Sequence, residues 1–146
     1  MQGLEKRLLA TARTDTRTRL LMTTPGVGVI VALTFACAID DPSRFKSSKS
    51  VGAYFGMTPT RYQSGETDYS GRISKHGDDS VRTVLYEAGH LILTRPLKGC
   101  TALKSWAMRI AKRAGMKKAA VALARKLAVI MHRMLADGTP FKNQPA

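Results

Sequence analysis

The sequence predicts a small, mainly α-helical domain with one polar insertion at about residues 57–77. Apolar residues recur at helical spacing on both sides of this insertion. A chain of 146 residues with 44% apolar residues also suffices for one hydrophobic core. The insertion differs, because its glycines, threonines and tyrosines favour an irregular loop or a β-hairpin. An irregular stretch of this length in a small domain usually serves a function.

The amino-terminal part is predicted to contain a short helix and a tight turn. Thr14-Asp15 is the predicted cap of a helix over residues 17–22. The turn follows in Pro25-Gly26-Val27-Gly28, where two glycines surround one apolar residue, so the domain starts like a helix-hairpin-helix motif. Its backbone N–H groups either hold a phosphate, which makes Gly26 and Gly28 candidate DNA-binding residues, or simply connect two helices.

The next helix is predicted over residues 29–39. It is apolar nearly all round, so we expect it to be the buried central helix of the domain. Pro42 follows its end and cannot continue a helix interior. Ser48 or Ser50 is then expected to cap a short helix over residues 51–55. The inward-facing side chains of that short helix are predicted to be Val51, Tyr54 and Phe55.

Three longer helices are predicted after the insertion. Asp78-Asp79-Ser80 caps the first of them, over residues 81–93. The second ends at Gly115, and apolar neighbours at helical spacing are expected to place its Trp106 in the core. The third runs from about residue 116 to 136 and carries an unbroken apolar stripe.

The charge of the chain predicts a nucleic-acid partner. Twenty-four Lys and Arg against ten Asp and Glu give a net charge of +14. From residue 92 onward, twelve basic residues stand against a single acid, Asp137, whereas a merely solvated face usually interleaves glutamates. In the part of the chain from residue 92 onward, DNA contacts are assigned to Lys112, Arg113, Lys117, Lys118, Arg125 and Lys126.

Neither a membrane nor a bound metal is expected for this chain. No segment offers eighteen uninterrupted apolar residues and no amino-terminal signal pattern is present, so we expect a cytoplasmic protein. Cys37 and Cys100 are far apart and the three histidines are scattered, so no metal or cofactor is expected to bind here.

The candidate site is Arg61-Tyr62-Gln63-Ser64-Gly65, within the insertion. It combines a candidate nucleophile, Ser64, with an arginine, and Arg72 and Lys75 are further phosphate-binding cations nearby. Gly65 removes side-chain bulk, so a DNA backbone can approach the serine closely. No general base is evident nearby, which makes unaided attack poor.

Several alternatives remain open on the sequence alone. Ser64 is also consistent with an ordinary loop serine, and Ser70 and Ser74 are rival nucleophiles. Arg82 either contacts DNA or pairs with Asp78 or Asp79.

An ordered set of motifs resembles one known family. The motifs are Thr24-Pro25-Gly26-Val27-Gly28, Ser43-Arg44-Phe45-Lys46-Ser47, Ala53-Tyr54-Phe55-Gly56-Met57-Thr58-Pro59, Arg61-Tyr62-Gln63-Ser64-Gly65, Gly71-Arg72-Ile73-Ser74-Lys75-His76-Gly77 and Val81-Arg82. Their order and spacing resemble the carboxy-terminal transposase domain of the insertion sequence 110 family, whose relatives include the 116 and 902 insertion sequences. The resemblance covers roughly residues 15–142. Residues 1–14 are interpreted as the remnant of a preceding helix or a linker, and residues 143–146 as a tail.

This resemblance implies a DNA transposase or recombinase. Such proteins pair an amino-terminal RuvC-like domain, whose acidic quartet binds a divalent metal such as Mg²⁺, with this domain, whose catalytic serine corresponds to Ser64. They act as dimers under the guidance of a structured bridge RNA, so DNA, a guide RNA and further copies of the chain are the implied partners. The RuvC-like domain is expected to be absent here, which leaves a fragment that binds DNA without recombining it. The alternative is a non-catalytic basic module that binds nucleic acid through phosphates.

Overall fold

The computed structural model of the chain is mainly helical, as the sequence predicts. It describes residues 3–4, 6–7, 10, 15–57, 59–64, 67–73 and 78–143, and in the two strands it describes the backbone alone. In chain order the elements are α1 (Thr16–Leu21), α2 (Val29–Ile39), a 3-10 helix (Pro42–Arg44), α3 (Ser50–Tyr54), β1 (Pro59–Ser64), β2 (Thr67–Ile73), α4 (Asp79–Thr94), α5 (Thr101–Ala114) and α6 (Met116–Asp137). None of the described helices combines the length and the apolar character needed to cross a membrane.

Local signals set the ends of the helices. Asp15 caps α1, as predicted, by accepting the Arg17 backbone N–H at 3.1 Å and the Thr18 hydroxyl at 2.7 Å. The Thr18 bond is the main cause that lowers the pKa of the Asp15 carboxyl. Gly115 links α5 to α6 with a φ of +98°, and Gly138 ends α6 in the left-handed conformation. The predicted bounds of α2, α4 and α6 are confirmed to within two residues.

The predicted cap of α3 is wrong. Lys49 occupies the cap position and makes no side-chain hydrogen bond there. The two serines expected to cap the helix have other partners: the Ser48 hydroxyl lies 2.8 Å from His132 Nδ1, and the Ser50 hydroxyl donates to the Ser47 carbonyl at 2.7 Å. Ser48 therefore ties the start of α3 to α6, a partner that no local pattern indicates.

The side chains of α3 divide between core and surface. Val51 and Phe55 are fully buried, as predicted, and the Phe55 ring centroid lies 6.0 Å from that of Phe35. Tyr54 is 47% exposed, so its predicted inward position is wrong. Its ring instead packs edge-on against Phe45, with centroids 5.1 Å apart. A helix this short presents only one narrow face to the core, and Tyr54 lies beside that face.

The buried centre of the domain is α6 rather than α2, so the prediction of the central helix is wrong. Helix α6 packs against α1, α3, α4 and α5, whereas α2 packs against α1 and α4 and leaves Ile30 54% exposed. Glycine at position 89 of α4 allows α6 to approach closely, because an added Cβ there would lie 3.0 Å from the Ala120 carbonyl oxygen of α6. Apolar residues on every side of a helix do not show how many neighbours will surround it.

The polar insertion contains an antiparallel β-hairpin, one of the two forms that the sequence predicts. Strands β1 and β2 pair with each other, and Ser64 lies opposite Thr67 at the closed end. The register shifts between Pro59 and Arg61, near the open end. The hairpin is thus an addition to a helical core, joined to it between α3 and α4.

Candidate nucleic-acid interface

Ser64 lies at the tip of the hairpin. It is the last residue of β1, and its Cα partner Thr67 is the first residue of β2. Arg61 precedes it by three residues, about 10 Å along the strand, whereas Arg72 lies five residues beyond Thr67, about 17 Å from the tip. The register therefore brings Arg61 nearer to the serine than Arg72. Two further residues that the sequence assigns to this site, Gly65 and Lys75, lie outside the described residues.

Arg82 joins the two ends of the insertion. Its Nη1 donates to the Phe55 carbonyl oxygen at 3.1 Å, and its Nη2 pairs with Asp79 Oδ1 at 2.8 Å. Phe55 lies just before the insertion and Asp79 just after it, so one guanidinium, 13% exposed, holds the base of the hairpin together. Asp78 instead caps α4 by accepting the Ser80 backbone N–H at 2.9 Å. The sequence left open whether Arg82 contacts DNA or pairs with Asp78 or Asp79, and the structure contains the ion pair with Asp79.

The two glycines of the predicted turn have different roles. Gly26 has a φ of +81°, and an added Cβ would lie 3.1 Å from Ile92 Cγ1 and 3.2 Å from the Ala88 carbonyl oxygen. Packing of the turn on α4 therefore requires glycine at this position. Gly28 precedes α2 without a side-chain cap, and an added Cβ there would have no atom within 4 Å. The backbone at Gly28 is thus the accessible part of the turn.

The loop between α4 and α5 brings basic residues to this turn that sequence reasoning missed. Leu97 Cδ1 would lie 3.5 Å from a Cβ added to Gly26. The exposed residues Arg95 and Lys98 flank Leu97 in the same loop. No local pattern connects this loop to the turn, because the two are far apart along the chain and meet only in the packed fold.

Four exposed cations gather where α5 meets α6, and we call them the cationic corner. Lys112 and Arg113 lie in the last turn of α5, and Lys117 and Lys118 lie in the first turn of α6. Within the described part of the chain, none of these four cations forms a salt bridge.

Two of these cations, Lys117 and Lys118, oppose the stability of α6. Its first turn contains no acidic residue. Lys117 and Lys118 therefore lie at the positive end of the helix dipole, each at a cost of about 0.3–1 kcal/mol. A bound polyanion would relieve this repulsion.

Arg125 and Lys126 lie further along α6, half-buried beside a groove. The Lys126 ammonium is 4.7 Å from the centroid of the Trp106 ring, within the distance of a cation–π contact. Trp106 is itself half-buried and lines the groove, so the expectation of a core position holds for only part of its ring. Apolar neighbours along α5 indicated the buried part, but not the groove beside it.

The described residues offer no metal site. Within the described ranges, no group of three or more His, Cys, Asp or Glu side chains is placed to hold a metal ion. Cys37 is exposed, and Cys100 is buried, which raises the pKa of its thiol. Both ring nitrogens of His132 have protein partners, the Ser48 hydroxyl at 2.8 Å and the Pro42 carbonyl at 2.9 Å. This histidine is a structural link between α6 and the segment before α3.

Comparison with known proteins gives consistent results. Residues 18–134 match the family model described as "Transposase IS116/IS110/IS902 family". The chain is 33% identical over 132 residues to the transposase for insertion sequence element IS1111A of Coxiella burnetii, which covers 90% of the chain and 36% of that protein. It is 30% identical over 141 residues to the transposase for insertion sequence element IS1328 of Yersinia enterocolitica, covering 97% of the chain and 42% of that protein. A probable family 20 transposase of Pseudomonas aeruginosa is 29% identical over 139 residues, 95% of the chain and 41% of that protein. The chain thus spans about two fifths of the length of these curated relatives.

Proposed function

Because the chain belongs to the IS116/IS110/IS902 family of transposases, we propose that it is the serine-bearing, DNA-binding half of an insertion-sequence transposase. Joined to a RuvC-like domain, it cuts and rejoins DNA by attack of Ser64 on a phosphodiester. The observation that carries this proposal is that the serine ends β1 at the tip of a hairpin. A hydroxyl in that position can reach a DNA strand while the helical core stays outside the duplex.

The chemistry exchanges one phosphodiester for another. The Ser64 oxygen bonds to phosphorus as one DNA oxygen leaves, so the broken DNA end stays covalently attached to the protein. The serine proton is lost in this step, and the leaving oxygen gains one. Arg61, Arg72 and Lys75 bind phosphates of the DNA strand and offset their charge. Gly65 leaves room for the DNA backbone.

The metal implied by the family resemblance, a divalent ion such as Mg²⁺, does not fit the described residues, which contain no group of ligands for it. We assign the metal to the RuvC-like domain. In this proposal residues 15–142 form the transposase domain, which alone binds DNA without recombining it. A structured guide RNA, assembly into dimers or larger homo-oligomers, and action in the cytoplasm belong to the proposal through the resemblance.

DNA affinity is assigned to the helical part of the chain. The cationic corner contacts phosphates, which is supported by the absence of any salt bridge to its four cations within the described part of the chain. Arg125 and Lys126 extend this surface along α6, and the open backbone at Gly28 provides a further contact. Such binding weakens steeply with salt, because each neutralised phosphate releases counterions.

The test of the serine uses the chain joined to a RuvC-like domain and incubated with DNA. After denaturation we expect a protein–DNA adduct that the Ser64→Ala variant does not form. Ser70→Ala, a substitution of a second serine in the same hairpin, is the matched control and keeps the adduct. An adduct of undiminished yield from Ser64→Ala would show that another group attacks the DNA.

A second function, a non-catalytic nucleic-acid-binding module, is favoured by the cationic corner itself, whose four exposed cations form no salt bridge within the described part of the chain. A non-catalytic module needs only the phosphate-binding surface. In that case Ser64→Ala changes neither covalent attachment nor DNA affinity, even when the RuvC-like domain is present.

A further inference from the structure

A groove of about 710 Å³ runs between α5, α6 and the segment that follows α6. Two half-buried aromatic rings line it, Trp106 on α5 and Phe141 beyond the end of α6. Its volume falls within the range of about 300–1,000 Å³ that is usual for small-ligand sites. The groove is therefore large enough to receive a planar ring together with its substituents.

The rim of this groove is strongly positive. Five cations line it against one carboxylate, that of Asp137, and the five are Lys49, Arg125, Lys126, Arg133 and Lys142. In the part of the chain that the structure describes, none of these cations forms a salt bridge. The charge and the rings together suit a ligand that is flat and apolar at its centre and anionic at its edge.

Lys126 connects the two features of the groove. Its ammonium lies over the Trp106 ring, 4.7 Å from the centroid. A lysine has a flexible apolar stem, so the same ammonium can reach either the ring or the rim. When a planar base stacks on the indole of Trp106, the Lys126 ammonium can therefore move from the ring to a phosphate.

We propose that this groove binds an unpaired nucleotide of a DNA strand, with its base stacked on Trp106 and its flanking phosphates held by Arg125 and Lys126. This rests on the proposed function, since it takes DNA as the partner. Bases within a duplex are covered by their neighbours, so only an unpaired base offers a free face for stacking on an aromatic side chain. A second copy of the chain is a poor occupant, because each copy has a net charge of +14.

Trp106 is the one tryptophan in the sequence, so its fluorescence reports directly on the groove. The probes are a single-stranded oligothymidylate, an abasic oligomer of equal length and charge, and a duplex. We expect saturable quenching by oligothymidylate and none by the other two, although both still bind in an anisotropy assay. Equal quenching by the abasic oligomer overturns stacking. Emission that changes with protein concentration alone points to a second copy and also overturns the proposal.

Substitutions distinguish binding in the groove from general electrostatic attraction of nucleic acid. Trp106→Leu is expected to weaken oligothymidylate binding by about 5- to 150-fold, the value of one stacked base, and to leave duplex affinity unchanged. Phe141→Ala provides a second variant outside the packed helices in case Trp106→Leu fails to fold. Tyr54→Ala removes an exposed aromatic residue that does not line the groove, and it is the matched control. Equal losses for single strand and duplex overturn the proposal.

Two further arms complete the test. Oligouridylate replaces oligothymidylate, and binding more than tenfold tighter to the RNA overturns the assignment to DNA. If the duplex binds with steep salt dependence but oligothymidylate does not quench Trp106, only the groove assignment fails. If neither binds, the proposed DNA-binding function fails with it.

Discussion

The hairpin and the α5–α6 helix pair are built in opposite ways. The hairpin adds two polar strands to the core and is tied at its base by the Arg82 guanidinium. The helix pair contributes to the core through α6 and carries the cationic corner at its exposed end. The proposed reaction thus takes place on a hairpin added to the core, and the proposed DNA affinity resides in helices that pack within it. Changes in one region are expected to leave the other largely intact.

The largest effect is expected at Gly89, where α4 and α6 approach each other closely. Gly89→Val places a side chain where a Cβ alone would lie 3.0 Å from the Ala120 carbonyl oxygen, so the helices must separate. We expect a loss of about 3 kcal/mol in the free energy of unfolding, measured by denaturant titration. Ala136→Val, an exposed site on α6, is the control and should cost about 0.5 kcal/mol. Equal costs would mean that α4 and α6 are not in close contact.

A smaller effect is expected where the hairpin joins the core. Arg82→Met keeps the length of the side chain but removes the bonds to Phe55 and Asp79, at a cost of about 1.5–3 kcal/mol. In the chain joined to a RuvC-like domain, adduct yield should fall further than duplex affinity, because the base of the hairpin is released. Arg19→Met, at an exposed arginine outside the proposed interface, is the matched control. A parallel fall in yield and affinity would contradict the separation of the two regions.

Charge removal at the cationic corner tests the proposed DNA affinity of the α5–α6 helix pair. Lys117→Gln with Lys118→Gln should lower the log–log salt slope of duplex binding by about 1.8, which corresponds to two phosphates. Arg19→Gln with Lys46→Gln removes two exposed charges elsewhere and is the control. Arg17 is unsuitable for this purpose, since its Nη2 donates to the Ala36 carbonyl oxygen at 3.1 Å. Equal reductions in slope would place the DNA surface outside the corner.

The smallest effect is expected at Asp15, which caps α1 and belongs neither to the hairpin nor to the cationic corner. Asp15→Ala removes the cap of α1 and should cost about 0.5–2 kcal/mol near neutral pH. Because the folded pKa of Asp15 is lowered, its stabilisation is present above the unfolded pKa of about 3.9 and is lost as pH falls through the folded pKa. The difference from the native chain should therefore shrink in acid, as followed by thermal unfolding. Glu87→Ala, an exposed site on α4, should show no such trend.

Local patterns predicted the helices well and their surroundings poorly. The Asp15 cap, the turn at Gly26 and the stripe of α6 each depend on neighbours within a few residues, so the sequence contained the information. The exposure of Ile30 and Tyr54 depends on which helices lie opposite, and apolar character alone does not encode that.

The same division holds within the candidate site. The motif around Ser64 and the run of basic residues are visible in the sequence, whereas the approach of Lys126 to Trp106 joins two helices. Likewise Arg82 was visible as a cation beside two aspartates, but its bond to Phe55 crosses the whole insertion. Contacts between distant segments decided both cases.

By itself the sequence determined the mainly helical class, the polar insertion, the surplus of cations and the family motifs, because composition, spacing and caps are local properties. Only the tertiary structure decided that α6 is the central helix, that one arginine joins both ends of the insertion, and that an aromatic groove lies beside the basic surface. Each of these depends on which segments pack together, and close packing of distant segments is a property of the folded chain as a whole.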